Sequence, residues 1–288
     1  MLGVVWILDA LVQAKPTNFA HSFPLGHLAQ SVMGAPPWES HAIYWLLSPF
    51  ATNWAWWNLG AVLLQASIGF ALVVDRGVRV ALAGSFVWSG VVWFAGEGLG
   101  LLPTGFAMLA FGAPGAVVLY AAVGALAWPV EHRRDVDRRW WTLTWVSVWG
   151  GGVMLQIPWV YSARQVLTAN FEEASLGQPT WLEAMARTAA HVVTGAPDAW
   201  AIGLAVIEAI VALAVLLPPA LPGTAPRVDA RWTLAAAIGL SLAFWVVGQQ
   251  LGGILSPSAT DIDTAPLVIL LALAAWPGVS RPAIRPRS

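Results

Sequence analysis

Three carboxylates lie in, or at the end of, long apolar runs: Asp9, Glu97 and Glu208. An ionised carboxylate at the centre of a membrane helix costs at least about 2.5–3.5 kcal/mol, so each asks for a reason. Glu97 stands in Gly96-Glu97-Gly98-Leu99-Gly100, where flanking glycines loosen the helix and let another backbone or a ligand approach. Two readings stay open for it. One is a proton relay or a hydrogen bond to a bound ligand; the other is a structural bond to a neighbouring helix or loop. Asp9 and Gln13 are four apart and share a helix face. Gln13 and Gln156 read as interhelical glue and Asp9 as a site candidate. Trp93, Gly96, Gly98, Gln13 and Glu208 complete the residues expected to contact a ligand.

Metal chemistry has weaker footing. His21, His27 and His41 share one long loop and are candidate ligands, but their spacing fits no known ligand pattern, and separate loop histidines are the commoner outcome. No apolar run carries a histidine that could hold haem. The chain has no cysteine, which removes disulfides, thiolate ligands and cysteine nucleophiles. A phosphate-binding glycine loop, a Gly-x-Ser-x-Gly elbow and a zincin helix are all missing.

The elements that must position these residues follow from composition. Of 288 residues, 58% are hydrophobic and 10% charged, against about 25% charged in soluble domains. Such a chain faces lipid. With a net charge of −1 and no basic stripe, it does not fit a nucleic-acid partner. Charges vanish over 1–14, 54–74, 80–96, 113–130, 140–157, 199–217, 232–250 and 264–277, which predicts eight spans in an all-α polytopic protein. Prolines 129, 158, 218 and 277 fit helix ends. Eleven of the 14 Lys and Arg fall in turns after the even-numbered spans or in the tail. The positive-inside rule then makes both termini cytoplasmic in an inner membrane and turns loops 15–53 and 158–198 outward. The 19 tryptophans are expected in interfacial belts, with ligand stacking as the rarer use. Thr180-Trp181-Leu182-Glu183 reads as a capping box that opens an amphipathic helix through about Val193, and Trp38 to Leu47 is its counterpart. The first span holds only 14 residues before Lys15, about 21 Å of helix against a core of about 30 Å. Either the true start lies upstream or the helix continues past Lys15.

Self-similarity organises the rest. At an offset of 143 residues Trp6 matches Trp149, Gln13 matches Gln156, Trp38 matches Trp181 and Gly60 matches Gly203. The offset then becomes 152, pairing Trp93 with Trp245, Gly96 with Gly248, Gly100 with Gly252 and Ala113-Pro114 with Ala265-Pro266. Glu97 falls opposite Gln249, and Asp9 opposite Gly152. The expected organisation is a four-helix unit over 1–130, a cytoplasmic linker over 131–139, a second unit over 140–277 and a basic tail over 278–288. Four spans per unit make the repeats parallel.

The second span of each unit carries Gln65, in Leu63-Leu64-Gln65-Ala66-Ser67-Ile68-Gly69, or Glu208, in Val206-Ile207-Glu208-Ala209-Ile210-Val211. Asp75-Arg76-Gly77-Val78-Arg79 then leads to the third span, while Pro218, Pro219 and Pro222 stand there in the second unit. This pattern resembles the DoxX-like family of four-helix membrane proteins, which includes the membrane subunit of thiosulfate:quinone oxidoreductase. The resemblance implies a quinone-linked or redox-partner role; on that reading the chain docks a redox partner or a quinone, with Glu97 and Asp9 expected in a polar pocket near the outer face. A small-solute transporter and a structural or assembly factor are the other two expectations.

Overall fold

A computed structural model of the chain describes residues 1–24, 26, 31–32, 34–129, 137–157, 162–216 and 230–276. Most of the linker, the tail, His27 and prolines 158, 218, 219, 222 and 277 lie outside the described residues. All regular structure among the described residues is helical. The helices are α1 (Leu2–Gln13), α2 (Pro37–Leu47), α3 (Trp54–Val73), α4 (Val78–Ala95), α5 (Ala116–Leu126) and α6 (Arg138–Gln156). They continue as α7 (Ala163–Ser175), α8 (Thr180–Gly195), α9 (Pro197–Ala214), α10 (Ala230–Ala243) and α11 (Ala265–Ala274). A π turn over Phe244–Gly248 prolongs α10.

Each of the eight apolar runs holds a helix. Four stretches, 37–73, 78–95, 197–214 and 231–248, are long and apolar enough to cross a membrane, which marks a membrane protein. Three apolar helices, α1, α5 and α11, are shorter, at 12, 11 and 10 residues. Irregular stretches take the place of the missing turns before α5 and α11. Helix α1 ends at Gln13 and does not continue past Lys15. The reason is Pro16, which disfavours helical backbone at Lys15; that residue is extended at ψ 140.

The capping box is a second departure. Pro179, not Thr180, precedes the first turn of α8, no side chain caps it, and Glu183 pairs with Arg187 one turn on. At α6 the cap does form, with the Asp137 carboxylate accepting the Arg139 N–H at 2.9 Å.

Helix α1 packs on α3, α4 on α5, α6 on α9 and α10 on α11. Helices α1 and α3 cross where Gly3 meets Gly69, so closely that a Cβ on Gly3 would lie 2.6 Å from the Gly69 carbonyl oxygen. Helices α5 and α11 meet at the centre. Neither expected use of tryptophan accounts for Trp6, Trp141, Trp145 and Trp149, which are buried in the core. The indole N–H of Trp141 donates to the Leu271 carbonyl at 2.8 Å and that of Trp145 to Val211 at 2.9 Å, tying α6 to α11 and α9. Trp38, Trp45, Trp56, Trp57, Trp181 and Trp200 are exposed, as a belt requires.

At the end of the bundle opposite the 74–77 turn, the two parts of the chain clasp each other. Lys15 Nζ donates to the carbonyls of Ile254 and Ser256 at 2.6 and 2.7 Å. Asn18 donates to Ala259 at 2.8 Å, and Asn170 donates to Phe106 at 3.1 Å. This end carries the candidate site.

Candidate functional site

Helix α4 stops at Gly96, and the chain turns left-handed for four residues. Gly98, Leu99, Gly100 and Leu101 have φ of 51, 52, 63 and 61°. Gln250, Leu251, Gly252 and Gly253 repeat this after the π turn, at 49, 60, 65 and 63°. Left-handed backbone costs about 1–2 kcal/mol for each residue other than glycine, so Leu99, Leu101, Gln250 and Leu251 store strain. Glycine is required at 100 and 252 for space as well, because a Cβ there would collide with the backbone of Pro114 or Ile262.

This turn delivers Glu97 to the first turn of α5. Its Oε1 accepts the Val117 N–H at 3.3 Å, one of the donors a helix start leaves unpaired. Its Oε2 is shut off from solvent and, among the described residues, has no hydrogen-bond partner. Gly115 makes the room, since a Cβ there would fall on Oε2. Trp93, one turn earlier, donates its indole N–H to Pro114 at 2.8 Å and so holds the loop over the carboxylate. In the later part of the chain, Gln249 Oε1 accepts the Ala265 N–H of α11 at 3.0 Å, and Trp245 donates to Ile262 at 3.0 Å. These bonds put Ala265 opposite Val117, a spacing of 148 residues. The pairing of Ala113-Pro114 with Ala265-Pro266 is therefore displaced, because the second loop is shorter.

Beside Glu97 opens a cavity of about 240 Å³. Glu97, Asp261, Asp263 and Glu173 line it together with Gly96, Gly115, Thr260 and Asn170, and Leu101, Met108 and Phe111 contribute apolar lining. Asp261 accepts the Asp263 N–H at 2.7 Å and the Thr260 hydroxyl at 3.2 Å. Asp263 accepts the Thr264 N–H, and the Thr264 hydroxyl donates to Gly112 at 2.6 Å. Among the described residues no Lys, Arg or His lines the cavity. Removal from water, then the nearby Asp261 charge, holds Glu97 well above the usual carboxylate range. The same causes push Asp263 up to about 7, and burial raises Asp261. Burial also lowers Lys15, which spends its protons on carbonyls.

Asp9 stands behind this cavity, buried in α1. It accepts the Tyr120 hydroxyl and, at 3.1 Å, the Ile262 N–H between the two cavity aspartates. It is thus a clasp holding the 261–263 loop. Glu97 and Gly96 line the cavity as expected, and Trp93 positions the loop above it. Gly98 does not line it; a Cβ there would strike the Ser31 carbonyl. Gln13 bonds to Asn58, and Gln156 donates to Glu208 at 2.6 Å, so Gln13 and Glu208 are interhelical contacts away from the cavity. No three His, Asp or Glu among the described residues are grouped to hold a metal, His21 and His41 included. His27 falls outside them.

Sequence reasoning missed Asp261 and Asp263. The available signal was a pair of aspartates at alternate positions just ahead of an apolar run. The arrangement as a whole can trade protons near neutral pH and accept hydrogen bonds from a bound donor. No protein family, curated protein or solved structure matches this chain.

Proposed function

We propose that the chain is an inner-membrane protein of eight crossings, built as two parallel four-helix units with both termini cytoplasmic. Its working site is the acidic cavity at the outer face, where it exchanges protons with a small bound solute. A helix in each of the eight apolar runs, and the bias of the basic residues, support the crossings and their orientation. The paired left-handed turns and the matched bonds of Glu97 and Gln249 support the repeat. The function rests on one observation: Glu97, whose Oε2 has no hydrogen-bond partner among the described residues, lines a cavity with three further carboxyls, Glu173, Asp261 and Asp263, and with no lining cation among the described residues.

A second reading keeps the quinone-linked role implied by the DoxX-like resemblance. Leu101, Met108 and Phe111, which line the cavity with Glu97, favour it, since a quinone ring needs apolar surface and a hydrogen bond. In both readings Glu97 carries the proton.

Infrared difference spectra of the purified protein, recorded while pH is stepped between about 5 and 9, test this directly. A protonated carboxyl band should disappear near neutral pH and above it, and Glu97→Gln should remove part of that band. Spectra in which every carboxyl is already ionised at the acid end would sink the proton-exchanging site.

A further inference from the structure

We propose that the acidic cavity binds a small organic cation that carries ammonium N–H donors; this rests on the cavity being the working site. Charge is the first argument. Glu97, Asp261 and Asp263 line one space, and no Lys, Arg or His among the described residues lines it with them. Lys15 is near in the chain's folding but turned away, with its Nζ held by the carbonyls of Ile254 and Ser256.

An unused acceptor is the second argument. Glu97 Oε1 accepts the Val117 N–H, and among the described residues Oε2, closed to solvent, receives no hydrogen bond. A buried acceptor left without a donor is costly, more so when charged, so a donor brought in by a guest is favoured.

Size and lining then choose among cations. A bare metal ion needs several ligands converging at about 2–2.6 Å, and no described group of acids and histidines converges in that way. About 240 Å³ leaves room for a guest with a carbon skeleton. The carboxyls supply acceptors, while Leu101, Met108 and Phe111 in the same lining offer apolar surface to methylene groups. An ammonium on a short alkyl chain satisfies both; a neutral alcohol satisfies only the second.

Proton release should accompany binding. Glu97 faces Asp261 and Asp263 from the other unit, Glu173 on α7 lines the cavity with them, and Asp9 with Tyr120 lies behind. With carboxyls this crowded, an arriving cation favours their ionised forms, and each proton lost goes to solvent. Affinity should therefore rise with pH across the neutral range.

Titration calorimetry on the full chain in detergent, with 1,4-diaminobutane as the probe, tests the proposal. The expected result is saturable binding at least about tenfold tighter near pH 8.5 than near pH 5.5, with heats that depend on the buffer's ionisation enthalpy. Tetramethylammonium, which has no N–H, and 1,4-butanediol, which has no charge, should each bind at least about tenfold more weakly. Glu97→Gln and Asp263→Asn should each weaken the diamine about tenfold or more while keeping a cooperative thermal transition. Glu183→Gln, on an exposed face of α8, should change nothing. Absence of saturable diamine binding, equal binding of the diol, or indifference to both cavity variants overturns the cation site. If the infrared titration of Glu97 persists in that case, the proton-exchanging reading stands without it.

Discussion

Glu97 and Gln249 occupy matching places, each after a long helix and before a left-handed turn, each accepting an N–H from the start of a short central helix. One is an acid facing a cavity; the other is an amide whose Nε2 donates to the Leu109 carbonyl at 3.4 Å. The acid is not lost from the second contact. It has changed sides, because Asp263 stands where the spacing of 148 places Gly115. The first helix pair of each unit shows the same exchange. Asp9 with Gln65 in one becomes Gly152 with Glu208 in the other. Gly152 makes that possible, for a Cβ there would lie 2.7 Å from Glu208 Oε2. The comparison teaches that the same left-handed turn and the same bond to a following helix can carry an acid in one place and an amide in the other, with the carboxyl supplied from a different position.

The largest expected effect comes from forcing two acids into one such contact. Gly152→Asp would press a Cβ against Glu208 and, at 3.0 Å, against Leu109 Cδ2, and bury a second carboxyl there. It should cost more than about 3 kcal/mol, read as a collapse in folded yield and melting temperature. Adding Glu208→Gln reproduces the Asp9/Gln65 arrangement and should recover part of the loss. Recovery stays partial because Val268 falls opposite Tyr120 and offers no hydroxyl to the new aspartate. A double variant no better than the single one would show that the exchange is not a matter of room.

A smaller effect concerns pH. Asp263 titrates at about 7 in the folded chain, against about 3.9 when unfolded, and Glu97 is also raised. The folded state therefore binds more protons than the unfolded state between these values, and stability falls as pH rises through that window. Melting should be several degrees higher near pH 5 than near pH 8, the opposite of a protein held by ionised salt bridges. Asp263→Asn should flatten part of that slope. A melting temperature that rises over this range would place the cavity carboxyls in water.

The helices were legible because charge-free runs fix where helices must lie, and every run holds one. Glu97 was legible because an acid between glycines at the end of such a run is costly and conspicuous. Asp261 and Asp263 were not, since they lie in a polar loop where acids cost nothing, and only the fold swings that loop over Glu97. The register of that loop misled for a physical reason: one Ala-Pro pair precedes α5 while the other opens α11, because the second loop is shorter, so the dipeptides match in letters and not in space. The buried tryptophans were missed because an indole suits both an interface and a core. The four-residue spacing of Trp141, Trp145 and Trp149 on one helix face was the usable signal.

The smallest expected effect is the most discriminating. In Glu97→Gln the amide oxygen can still accept the Val117 N–H, and its NH₂ takes the place of the unpartnered oxygen, so nothing is lost that the protein now has. Its stability should change by less than about 1 kcal/mol, with slight stabilisation favoured because a buried charge or proton is no longer required. Gln249→Glu is the mirror change and should not be mirror-neutral. There the amide already donates to Leu109, and a carboxylate would set an oxygen against that carbonyl, at a cost of about 1–3 kcal/mol. If the two variants melt alike, Gln249 is not held by the Leu109 bond and the units differ only in the residue they carry. If Glu97→Gln proves the more damaging, the unpartnered oxygen has a donor in the folded protein, and Glu97 is a structural acceptor instead of a site waiting for a guest.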